Sequence, residues 1–143
     1  MKKSNILLLF GIALVLIDII TKHLFYGKKE AFITSLTNKG GIFGFFDNSF
    51  IFILVLSFVC LFLLIYYYSK IKSSNQRLAL IFVISGIIGN FLDRLIFGYA
   101  RDFIDLKIWP VFNLADAFTT IGVILFIIFL FKGEKHAKFS HTH

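Results

Sequence analysis

Four stretches of the chain are apolar almost without interruption: residues 5–26, 49–69, 78–97 and 114–131, approximately. None shows the alternation of a half-buried strand. Each is about 18–22 residues long, near the ~20 that a helix needs to cross ~30 Å of hydrocarbon. Backbone groups in lipid must be satisfied within the segment, so the pattern predicts four transmembrane helices and an all-α membrane protein. The connections are not simply polar. "EAFITSLTNKGGIFGFF" sets β-branched and aromatic residues around Asn38-Lys39-Gly40-Gly41 and predicts strand, turn, strand. "IDLKIWPVF" supplies a further short strand, and a small extracytoplasmic sheet resting on the bundle is expected.

Composition agrees. Of 143 residues, 58% are hydrophobic and 16% charged. A soluble domain of this size leaves too much surface in water to hide that much apolar area. One Pro and ten Gly leave little room for a linker, so residues 1–143 are read as a single membrane domain. The net charge of +7 does not imply nucleic acid, because no soluble module is present to carry it. Cys60 is alone and mid-span, where it reads as a small core hydrophobe, and no zinc-ligand spacing occurs. The first apolar stretch follows "MKK" but ends in Asp18, Thr21 and Lys22 with no small-x-small cleavage site, so a retained helix is expected.

Charge orients the segments. Lys2 and Lys3, then Lys70, Lys72 and Arg77, then Lys132, Lys135 and Lys138 fall on one side. Fewer, more widely spread cations occupy 27–48 and 98–113. Both termini are therefore expected in the cytoplasm, with those two loops outside. The acids gather at the opposite face. Glu30, Asp47, Asp93, Asp102, Asp105 and Asp116 lie in or beside the outer loops, and Asp18 in the outer half of the first helix.

Each constellation has a plain reading beside a functional one. Asp18 and Lys22, at i and i+4, suggest a structural ion pair with Lys22 snorkelling outward. Gly86, Gly89, Asn90 and Asp93 recur at helical spacing, suited to close helix approach. Asn90, Asp93 and Arg94 form a polar corner, either helix–helix glue or a hold on substrate backbone or lipid head group. Asn113, Asp116 and Thr120 share one stripe at the start of the fourth helix, with Asn113 also a plausible N-cap. A carboxylate entering the bilayer is costly unless paired or used. Asp102 and Asp116, at the two ends of one loop, can meet. Two close carboxylates share one proton, as in aspartic proteases.

These residues resemble signal peptidase II, the bacterial lipoprotein signal peptidase family. The likeness runs through "DIITK" (18–22), "NKGGIFG" (38–44), "SGIIGNFLDR" (85–94), "YARDFID" (99–105) and "FNLAD" (112–116), in order and at matching depths. The resemblance implies four transmembrane helices with a small β-cradle. It implies an aspartyl endopeptidase that needs no metal or cofactor and cuts prolipoproteins just before a diacylglyceryl-modified cysteine. By motif, Asp102 and Asp116 are the catalytic pair. Asn38, Gly40, Asn90, Asp93, Arg94 and Asn113 line or brace the site, and Asp18 and Lys22 support it. A monomer in the cytoplasmic membrane is expected, with membrane lipids and lipidated precursor as partners. The chain departs from the family pattern at Ser85-Gly86, at Gly41-Ile42, at Ala100-Arg101 and in a short 105–110 stretch. The rival is a proton-linked transporter component, since intramembrane acids also build proton relays. Against it, the acids gather at one interface and no inverted repeat is visible.

Overall fold

The computed structural model describes residues 3–39 and 50–139. Four helices run Lys3–Phe25 (α1), Phe50–Lys70 (α2), Ser74–Phe97 (α3) and Leu114–Phe139 (α4), and all four are long and apolar enough to span a membrane. Three short strands, Lys29–Glu30 (β1), Ile33–Asn38 (β2) and Ala100–Ile104 (β3), form one antiparallel sheet in the order β1-β2-β3.

The interior is built on α3, whose buried residues run from Ala79 to Asp93. It packs against α1 and α4, and α2 leans on it from the side. None of the α2 side chains is buried, and Phe52, Phe58 and Phe62 project outward. Such a surface suits hydrocarbon and is untenable in water. Small residues bring α3 and α4 together. A Cβ at Gly86 would overlap the Ala115 carbonyl and Thr119, and one at Gly89 would strike the Asp18 carboxylate.

Two helix ends depart from the hydropathy pattern. The polar start of α3 is helical from Ser74 because the Ser73 hydroxyl accepts the Gln76 N–H. Beyond Phe131, α4 continues through a polar stretch to Phe139, since a helix need not stop where the hydrocarbon does. At its other end α3 closes on Gly98, at φ 80°, whose N–H bonds the Arg94 carbonyl.

The sheet lies where α1 and α3 finish and α4 begins. Phe25 of α1 stacks on Phe103 of β3 at 5.1 Å between ring centroids. In the β2–β3 pairing, Leu36 faces Asp102 and Asn38 faces Ala100. The strand expected in 104–112 reduces to a single bridge between Ile104 and Phe112. Lys107 at φ 66° turns the chain there, and Pro110 removes a donor. The return strand expected after Gly40-Gly41 lies outside the described residues.

Candidate active site

The start of α4 organises the site. Asn113 is its N-cap: the Asn113 side-chain oxygen accepts the Asp116 N–H at 3.0 Å, and the Asn113 N–H donates to Asp116 Oδ2 at 3.2 Å. This reciprocal arrangement is a capping box with an acid at the third position. A third free N–H of the same turn, that of Ala115, donates to Asp18 Oδ1 at 2.8 Å. Asn113 therefore fixes Asp116 through the helix end. Its remaining amide group fixes Asp102, with Nδ2 donating to Asp102 Oδ1 at 2.6 Å.

Asp102 sits on β3, 3% exposed, and its other oxygen accepts from Asn38 Nδ2 of β2 at 2.9 Å. Burial pushes its carboxyl up to about 6, and the charge of Asp116 adds to the rise, while the Asn38 and Asn113 amides pull it down. The sheet and the helix cap thus bring together the two acids that the sequence places at opposite ends of one loop.

Behind them, Asn90 of α3 donates from Nδ2 to Asp116 Oδ1 at 2.7 Å. The Asn90 Oδ1 accepts from Asn113 Nδ2 at 3.0 Å and from Lys22 Nζ at 2.9 Å. Lys22 also pairs with Asp18 at 2.7 Å and lies 3.5 Å from Asp93. Lys22 and Asp18 are both fully buried, so Lys22 does not snorkel outward. Three partners, Asn90, Asp18 and Asp93, converge on its ammonium inside the bundle.

The polar corner of α3 divides. Asp93 turns inward, where Arg101 of β3 grips it through the backbone N–H at 2.9 Å, Nε at 3.2 Å and Nη2 at 2.7 Å. Arg94, one residue on, is directed about 100° away around the helix and lines a cavity of about 290 Å³ with Ser57, Asn90, Asp116, Thr119 and Thr120. The Arg94 Nε is buried with no hydrogen-bond partner among the described residues. Arg101 was not legible as a site residue, because in the sequence it reads as one more loop cation. The one available signal was the buried acid at 93, which needs a cation besides Lys22.

Asp105 belongs elsewhere. Hydrogen bonds from the Lys107 ammonium, Thr34 hydroxyl and Lys107 N–H hold its carboxyl down at about 2. It anchors the 105–112 loop to β2 and does not touch the pair. Gly40 lies outside the described residues. Among the described residues no group of three or more His, Cys, Asp and Glu is arranged to hold a metal ion.

A family model described as Signal peptidase (SPase) II matches residues 10–132. The lipoprotein signal peptidase of Halothermothrix orenii is 42% identical over 109 residues, covering 75% of each chain. That of Staphylococcus carnosus is 33% identical over 151 residues, covering 94% of this chain and 95% of its own. A bacterial membrane enzyme solved by the in meso method at 2.3 Å superposes with a TM-score of 0.81 at 30% identity, over 92% of this chain and 91% of that one. With a family model matched over residues 10–132 and relatives and a superposable structure matched across most of the length, the chain belongs to the signal peptidase II family.

Proposed function

We propose that this protein is an aspartyl endopeptidase that removes signal peptides from prolipoproteins, with Asp102 and Asp116 as the catalytic pair and cleavage before a diacylglyceryl-modified cysteine. The observation that carries the assignment is the shared hold of Asn113 on both acids. A structural acid needs no such coupling to a second acid. The first turn of α4, where the helix dipole favours negative charge, suits Asp116 to the role of base. Asp102, buried and with its carboxyl pushed up, is suited to the role of acid.

The reaction follows from these states. Asp116 removes a proton from water while the water oxygen attacks the scissile carbonyl carbon. Asp102 gives its proton to the carbonyl oxygen, producing a neutral tetrahedral diol. As the C–N bond breaks, Asp116 returns its proton to the departing amine nitrogen and one diol hydroxyl returns a proton to Asp102. Asn90 orients Asp116, and the free Arg94 Nε–H is a donor for a substrate carbonyl. The Lys and Arg distribution supports both termini in the cytoplasm and the pair at the outer face. One membrane domain, acting as a monomer on a substrate that arrives through the bilayer, suffices for this chemistry.

The test compares a lipidated precursor with its unlipidated form at matched enzyme. The lipidated form should be cut at least ~10-fold faster, since its acyl chains hold the cleavage point at the depth of the pair. Equal turnover removes the lipid from the reading.

The pair also sets a pH dependence. Protonated Asp102 is the acid, and its proton leaves as pH rises through about 6. kcat/KM is expected to fall on the alkaline side, with an apparent constant belonging to the coupled pair at or above that value. A kcat/KM that keeps rising from pH 6 to pH 9 contradicts the assignment of the proton.

A further inference from the structure

We propose that the cavity between the 105–112 loop and the first two turns of α4 seats an acyl chain of the substrate, so that Asp116 stands between a peptide subsite and a lipid subsite. This rests on the reading of Asp102 and Asp116 as the catalytic pair and extends it to substrate registration.

Two cavities meet at Asp116. The polar one, described above, presents the hydroxyl of Ser57, the amide of Asn90 and the guanidinium of Arg94. The second, about 390 Å³, is lined by Leu106, Trp109 and Phe112 of the loop and by Asp116, Ala117 and Ile121 of α4. The two share Asp116 and Thr120 and otherwise draw on different residues. Their chemistries differ in the way the two sides of the scissile bond differ. Peptide amides need donors and acceptors, which the first supplies. The cysteine beyond the bond carries long apolar chains, which need a surface with no unsatisfied polar groups, and the second is that surface apart from Asp116, since its Thr120 hydroxyl is bonded to the Asp116 carbonyl.

The loop is shaped for the task. Ile108 is 91% exposed and Trp109 68%, and Leu106 is also exposed. Three large apolar side chains on one turn at the end of the transmembrane helices suit the boundary between head groups and acyl chains, with tryptophan at its favoured depth. The loop is nevertheless held in place. Asp105 is tied to Lys107 and to Thr34 of β2, and Phe112 bridges to Ile104 of β3. On this proposal the tethered apolar turn would face the bilayer and offer a lipid chain a lateral way in beside the pair.

A chain moving from bilayer to cavity exchanges one apolar surface for another. The cavity therefore contributes little raw affinity. It fixes how far the cysteine, and so the bond before it, stands from Asp116.

Trp109 is the sole tryptophan and makes the proposal measurable. The full chain carrying Asp102→Asn, in nanodiscs of unbrominated lipid, is titrated with a diacylglyceryl-cysteine precursor peptide whose acyl chains carry bromine. Trp109 emission should be quenched saturably, by more than half, and restored by excess unbrominated lipidated peptide. Brominated diacylglycerol at the same mole fraction should quench only weakly and without saturation. If peptide and free diacylglycerol quench alike, the chain is in the bulk bilayer and the proposal is overturned. In the otherwise unaltered enzyme, Ala117→Phe fills the cavity and should lower kcat/KM for the lipidated precursor at least ~10-fold. In the Asp102→Asn background it should abolish saturable quenching. An unchanged rate and unchanged quenching with Phe at 117 also overturn the proposal. Cleavage of the probe by the Asp102→Asn protein counts against the catalytic pair, whereas the quenching result alone decides the cavity.

Discussion

Asp102→Asn and Asp116→Asn should each abolish cleavage of a lipidated precursor, with a loss of at least ~10⁴-fold, and the double variant should be little worse than either single one. The reason is the shared proton. Water is activated only while one acid is ionised, and the carbonyl is polarised only while the other is protonated. Asparagine preserves volume and can do neither. The scaffold gives a second expectation. The carboxyl of Asp102 stands at about 6 in the folded protein, against ~3.9 when unfolded, so the folded state binds the proton more tightly. Stability from this group is full below about pH 4 and declines as pH rises through about 6, by on the order of 2–3 kcal/mol. Asp102→Asn removes that loss near neutral pH. The new amide NH₂ faces one of the donors from Asn38 and Asn113, which takes back part of the gain. The inactive variant should thus unfold at or slightly above the temperature of its parent at pH 7.5. Asp105→Asn is the control, since Asp105 bonds Lys107 and Thr34 and should keep substantial activity. Near-parental cleavage by either variant of the pair, at matched expression, would falsify the aspartyl mechanism.

The helices were legible because one physical rule dominates them: lipid admits no unpaired backbone, so apolar length alone marks a span. The catalytic candidates were legible for the complementary reason. Asp116 begins a helix that enters hydrocarbon, where an acid has no default excuse. What the sequence concealed was direction. Asp93 and Arg94 are adjacent in the chain and were read as one corner, yet on a helix neighbours diverge by about 100°, and the two serve different partners. Arg101 looked like an ordinary loop cation because nothing local shows that β3 carries it under α3 to Asp93. Asn113 was read as a plausible cap and, by family motif, a bracing residue. It is both at once, and the union of the two roles is what couples the acids. Residues far apart in sequence, such as Lys22 and Asn90, meet only through helix packing that periodicity does not encode.

That packing underlies the remaining large effect. Lys22→Met should destabilise the protein by roughly 3–5 kcal/mol, because it leaves buried carboxylate uncompensated. Asp18, Lys22, Asp93 and Arg101 form a closed set of two acids and two bases, all less than a tenth exposed. Arg101 alone satisfies much of Asp93, with three hydrogen bonds from it. Asp18 has no comparable second cation among the described residues. Its other bond is the Ala115 N–H at the cap of α4. Losing Lys22 therefore strands Asp18 first. Asp18→Asn should rescue Lys22→Met by at least half, since the asparagine oxygen still caps Ala115 and the charge is gone. Activity should be lost separately from stability. Lys22 donates to Asn90 Oδ1, and that bond fixes the amide so that Nδ2 points to Asp116. Without it only the Asn113 amide still holds Asn90 Oδ1, so the Asn90 amide is less firmly set, and the double variant should remain folded yet cut at least ~10-fold more slowly. Thermal unfolding in detergent and precursor cleavage on the same four proteins separate the two effects through a double-mutant cycle. An unfolding temperature for Lys22→Met equal to that of the parent would mean that Asp18 is held neutral or hydrated, and that the buried charge set is not what secures the start of α4.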